Sequence, residues 1–86
     1  MFKVECADGW GHCFARLDNS IKRQIARKID KLAFPINARH LLHGLPYFVV
    51  QVGQYRIVFE EIGATRILLF VGDHKQYEMW LAEQRI

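Results

Sequence analysis

The chain has 86 residues, is 51% hydrophobic, and carries 12 Lys and Arg against 9 Asp and Glu, for a net charge of +3. A chain of this length allows one compact domain that buries only about 60–65% of the surface its unfolded form exposes, which excludes a large multi-domain enzyme and leaves modest stability unless a partner adds to it. No apolar run approaches the ~20 residues of a membrane-spanning helix, and Met1 to Glu5 lacks the apolar core of a signal peptide, so a cytoplasmic protein is expected.

Phe2 to Cys6 alternates apolar and polar residues, the period of a half-buried strand. Asp8-Gly9-Trp10-Gly11 breaks that pattern. His12 to Leu17 reads as a short helical turn, with Phe14 and Leu17 spaced to face a core. Asp18, Asn19 and Ser20 then offer successive candidate N-caps. Behind them Ile21, Ile25, Ile29 and Leu32 form one stripe of an amphipathic helix. Pro35 is expected to end it. The other faces of this helix carry Lys22, Arg23, Arg27, Lys28 and Lys31 against the single acid Asp30. Such a face suits a nucleic acid or an acidic protein segment, although an ordinary solvated helix has the same look.

Ile36 to Pro46 reads as a connection carrying Arg39, His40 and His43. From Tyr47 to Tyr77, three runs rich in Val, Ile, Phe and Tyr are separated at Gly53 and Gly63, the pattern of consecutive antiparallel strands. In the middle run Tyr55, Ile57 and Phe59 point one way, and Arg56, Val58 and Glu60 the other. Arg66 to Val71 is apolar on both parities after its first residue, as expected of a central strand covered on both faces. Asp73-x-x-Gln76 is a capping signal. Tyr77, Trp80 and Leu81 make a stripe on a closing helix too short to stand without packing. The sum is an α+β fold: a mainly antiparallel four-stranded sheet packed against an N-terminal helical hairpin, with a short C-terminal helix.

Cys6 and Cys13 are expected to be reduced. With His12, His40 and His43 they lack the paired C-x-x-C spacing of closed zinc sites, so no metal is expected. The chemistry-bearing residues are Arg56, a permanent cation whose planar fork matches phosphate oxygens, and His74, whose side-chain type titrates near neutral pH. If Asp73 caps the helix, His74 occupies its first position, where backbone N–H groups favour an anion. Tyr77 follows on nearly the same face. Each also has a structural reading. Arg56 can pair with Glu60 or Glu61 in the sheet, His74 can be a solvated histidine, and Tyr77 can be core.

Gly53-Gln54-Tyr55-Arg56-Ile57-Val58-Phe59 resembles the G-x-Y-R-apolar-apolar-aromatic signature of the RelE/ParE toxin superfamily. Gly72-x-His74-x-x-Tyr77 resembles the end of the last strand in its RNA-cleaving RelE and HigB branches. Leu42-His43-Gly44 is similar to the L-x-G that often enters the sheet there. The likeness covers nearly the whole chain and implies one RelE-like toxin domain over residues 1–86. It implies the toxin of a type II toxin-antitoxin system, a ribosome-dependent mRNA endoribonuclease that inhibits translation without a cofactor. Arg56 would stabilise the phosphate, and His74 and Tyr77 would complete the catalytic set. RNA contacts would come from Lys75, from Arg39 and His43, and from Lys22, Arg23, Arg27, Lys28 and Lys31. The implied partners are a cognate antitoxin, the ribosome and mRNA, with no membrane and no DNA contact except through the antitoxin complex. One departure stands out: RelE-type members often carry lysines on the strand before the Y-R signature, and Phe48-Val49-Val50-Gln51-Val52 has none. A ParE-like inhibitor of DNA gyrase, or an inactive relative that only binds its antitoxin, is the alternative.

Overall fold

A computed structural model describes residues 1–40 and 46–84. The sequence segment Leu42-His43-Gly44 lies outside the described residues. The elements run β1 (Lys3–Cys6), α1 (Trp10–Ala15), α2 (Asn19–Lys31), β2 (Arg39–His40), β3 (Tyr47–Val52), β4 (Tyr55–Ile62), β5 (Thr65–Asp73) and α3 (His74–Gln84). The sheet order is β1-β5-β4-β3-β2, with β1 parallel to β5 and every other pairing antiparallel. The four longer strands are those the apolar runs suggest. The fifth is a two-residue pairing of Arg39 and His40 with Val49 and Phe48, inside the segment expected to be a plain connection. Gly53 and Gly63, at φ 60 and 59, open the two-residue turns of both hairpins, a backbone region that side-chain-bearing residues rarely adopt.

The sheet is covered on both faces. Ile25 of α2, Leu32 at its C-cap and Trp10 of α1 pack with Val50, Ile57, Phe59, Leu68 and Val71 on one side. Tyr77 of α3, with Trp80 and Leu81, packs with Val49, Val58 and Phe70 on the other. A bulge makes this possible for β5. Val58 pairs with Phe70 but Phe59 pairs with Leu68, so Leu69 is an extra residue. The insertion puts Leu68 and Phe70 on opposite faces despite their even spacing.

Two helix boundaries differ from expectation. α1 starts at Trp10, earlier than His12, with Gly9 at φ 93 as its N-cap, and Trp10 is buried in the core. α2 is capped by Asp18, without a side-chain hydrogen bond, and finishes at Lys31, well before Pro35. Its end is set by a turn in which Phe34 N–H donates to Lys31 O, and by Arg66. The Arg66 guanidinium donates from Nη1 to the carbonyls of Leu32 (2.8 Å) and Phe34 (2.9 Å), and from Nε to Glu61 (3.0 Å). The rings of Phe2 and Phe59 flank it at 3.7 and 5.2 Å. At 5% exposure Arg66 is the buried cation of the described residues. A charge is tolerated there because its donors and its counter-charge are met together.

Candidate functional site

The site forms where β5 runs into α3. Asp73 Oδ1 accepts the Gln76 backbone N–H at 2.8 Å, and Gln76 Oε1 accepts the Asp73 N–H at 2.9 Å. This reciprocal box fixes the first turn of α3 and places His74 as its first residue. Tyr77, Trp80 and Leu81 anchor the helix, with Trp80 stacked on Phe70 at 5.4 Å and against Tyr47 at 5.8 Å. The helix therefore draws its stability from the sheet.

Arg56 lies directly across the β4–β5 ladder from Gly72, the last-but-one residue of β5. That register brings three residues together. Arg56 Nη1 donates to His74 Nδ1, and the guanidinium carbon sits 5.0 Å from the centre of the Tyr77 ring. His74 Nε2 lies 3.2 Å from Glu78 Oε1, one helical turn on. An arginine has only donors and a carboxylate only acceptors. The two contacts are therefore both satisfied by a neutral imidazole carrying its proton on Nε2. Tyr77 is buried in the second core and at the same time forms the aromatic floor beneath Arg56. The sheet pairing considered for Arg56 belongs instead to Arg66, which takes Glu61.

Gln51, Gln54, Arg56, Asp73, His74 and Lys75 line an open cleft of about 440 Å³. The position on β3 opposite Arg56 is Gln51, whose Nε2 donates to Gly53 O at 3.0 Å. Gln51 also borders a second cleft of about 290 Å³, formed with Gln24, Arg27, Lys28, Lys31 and Val52. α2 packs on the opposite face of the sheet from α3, yet its last two turns reach the wall of the Arg56 cleft through Gln51. The α2 cations thus divide. Arg27, Lys28 and Lys31 line the second cleft, Lys22 Nζ lies 5.9 Å from the Phe14 ring beside α1, and Arg23 is exposed. Arg39 enters β2 opposite Val49, and His43 lies outside the described residues. Cys6 and Cys13 are unbridged. Among the described residues no three His, Cys, Asp or Glu side chains cluster as metal ligands.

Sequence reasoning passed over Glu78 and Gln51. The signal for Glu78 is its i,i+4 spacing from His74 on a capped helix. The signal for Gln51 is its place on the same strand parity as Val49, one hairpin away from Arg56.

No family model matches the sequence, and no curated protein matches it. Solved structures do match. The RelB–RelE antitoxin-toxin complex of Methanococcus jannaschii aligns with a TM-score of 0.73 at 18% identity, over 90% of this chain and 98% of that one. The RelBE2 toxin-antitoxin complex of Mycobacterium tuberculosis aligns with a TM-score of 0.75 at 16% identity, over 85% and 98%. A mutant of the Escherichia coli toxin RelE in the free state aligns with a TM-score of 0.73 at 16% identity, over 99% and 98%. The chain has the RelE toxin fold.

Proposed function

We propose that residues 1–86 form the single toxin domain of a toxin-antitoxin pair and that it inhibits translation by cutting mRNA on the ribosome. The observation that carries this reading is that Arg56 of β4 and His74 of α3 meet on the wall of one open cleft of a RelE fold, with the buried Tyr77 ring packed against the Arg56 guanidinium. Arg56 meets the scissile phosphate with its fork, and the Tyr77 ring holds the guanidinium in place, a contact worth about 0.5–2 kcal/mol. Turning to the phosphate frees His74 Nδ1. That nitrogen takes the proton of the ribose 2′-OH, the 2′-oxygen attacks phosphorus, and the bond to the 5′-oxygen breaks. The products are a 2′,3′-cyclic phosphate and a 5′-hydroxyl whose proton comes from solvent in the open cleft. The Lys75 ammonium, on the cleft wall, offsets the charge on the leaving oxygen. A preorganised charge on the phosphate contributes about 3–4 kcal/mol to the barrier, and a positioned base about 10²–10⁴ in rate.

The absence of strand lysines on β3 makes substrate positioning the larger need, and the ribosome supplies it. Arg27, Lys28 and Lys31 contact rRNA phosphates, with Lys22, Arg23, Arg39 and His43 as outer contacts. The partner is an antitoxin, as in the complexes of the M. jannaschii and M. tuberculosis proteins, with an acidic segment that folds on binding. The setting is the cytoplasm; no helix of the described residues is long and apolar enough to cross a membrane.

Inducible expression tests this reading. Growth should stop, mRNA should acquire new ends within coding frames, and co-expression of a small acidic protein from the adjacent reading frame should relieve both. Arrest with intact mRNA and inhibited DNA supercoiling would favour a gyrase inhibitor, and no arrest would favour an inactive relative.

A further inference from the structure

The proposed chemistry leaves one charged side chain of the site without a task. Glu78 faces outward on α3, and its only ion-pair partner among the described residues is His74 Nε2, at 3.2 Å. Lys75, on the same helix, lines the cleft wall and leaves Glu78 to the histidine. Asp73 Oδ1 is engaged by the Gln76 N–H of the capping box, and the carboxylate paired with the imidazole among the described residues is that of Glu78. The groups around the imidazole are therefore Arg56 from β4, Asp73 from β5, and Lys75 and Glu78 from α3. Only Glu78 accepts a proton bond from the far nitrogen.

We propose that Glu78 is a positioning residue that fixes the proton of His74 on Nε2 and so makes Nδ1 the nitrogen that receives the 2′-OH proton. The inference rests on the nuclease reading above for its consequence, but its physical content is a property of the free protein. An imidazole has two tautomers, and the hydrogen bond made by one nitrogen decides the role of the other. In the free state two partners enforce the choice, Arg56 on Nδ1 and Glu78 on Nε2. Once a phosphate draws Arg56 away, only Glu78 remains to hold the ring. At that moment a ring that turned would present Nε2–H, and one that exchanged tautomers would present Nδ1–H, a donor to the 2′-OH in either case. Glu78 thus acts when the base is needed. After proton transfer the imidazolium carries N–H on both nitrogens, and the same carboxylate faces a full positive charge, which strengthens their bond.

The side chains of His74 and Glu78 are 66% and 61% exposed, so neither contributes to the core and substitutions should fold. The test uses Arg56→Ala as background, since that removes the second partner of the ring. In ¹⁵N-detected spectra of the free protein at alkaline pH, Arg56→Ala should show His74 with a protonated Nε2 and an unprotonated Nδ1. Adding Glu78→Ala should bring the two ring nitrogens towards a mixture, while Glu78→Gln, whose amide oxygen still accepts, should keep most of the bias. In the parent, Glu78→Ala should lower kcat for mRNA on programmed ribosomes about three- to tenfold with KM unchanged. It should have no further effect in His74→Ala. Unchanged ring signals on adding Glu78→Ala, or an equal loss of cleavage with and without His74, would overturn the assignment. If the parent cleaves nothing yet the ring signals move as expected, the positioning contact stands and the nuclease reading alone fails.

Discussion

Gly72 sits opposite Arg56 in the β4–β5 ladder, and the bare backbone at that position is what lets α3 begin above the arginine. A Cβ there would lie 2.7 Å from Phe70 Cζ, 2.9 Å from Gln76 Oε1 and 3.0 Å from Gln76 Cβ. The helix that carries His74 and Tyr77 is thus laid close against β5 at Gly72, the residue paired with Arg56 of β4.

Gly72→Ala should force the Phe70 ring and the Gln76 side chain apart and cost about 1–3 kcal/mol. Denaturant unfolding measures the loss. Amide exchange should locate it in the first turn of α3, where Gln76 closes the capping box.

Arg66 and Arg56 should behave as opposites. Arg66→Met leaves Glu61 without its cation and the Leu32 and Phe34 carbonyls without a donor, a loss of about 3–5 kcal/mol. Arg66→Lys should recover little, because a single ammonium cannot reproduce the fork. Arg56→Ala, in a half-exposed place beside the open cleft, should change the unfolding free energy by about 1 kcal/mol or less. Thermal melts of the three variants side by side decide it.

Much of this was legible in the chain. In the stripe of Ile21, Ile25, Ile29 and Leu32, Ile25 and Leu32 are fully buried and Ile21 and Ile29 partly so, the glycine turns close both hairpins, and the Asp73–Gln76 box is made in both directions. What was hidden depends on contacts distant in sequence. Arg66 reads as the polar first residue of a strand, because the carbonyls that bind it lie 34 and 32 residues earlier. The bulge at Leu69 breaks the period of two without any glycine or proline to mark it. Arg39 and His40 pair with β3 through a register that no local pattern announces. In the site, Arg56 and His74 were visible as residue types, but their mutual contact depends on the ladder that sets Arg56 against Gly72.

The α2 cations should separate by place. Charge reversal at Arg27, Lys28 or Lys31, which border the cleft shared with Gln51, should raise KM on ribosomes several-fold with little change in kcat. Each lost phosphate contact should lower the salt slope of binding by about one. Lys22→Ala should do less, since its ammonium lies against Phe14. Ribosome co-sedimentation across a salt series measures both.

The most direct measurement is mRNA cleavage by the purified protein on programmed ribosomes and on the same RNA free in solution, with Arg56→Ala and His74→Ala beside the parent. The account expects clear cutting of ribosome-bound mRNA and negligible cutting of free RNA. It expects a fall of about 10²–10³ in rate for Arg56→Ala and about 10²–10⁴ for His74→Ala, with both variants folded. Equal cutting of free and ribosome-bound RNA, or near-full cleavage by both folded variants, would contradict it.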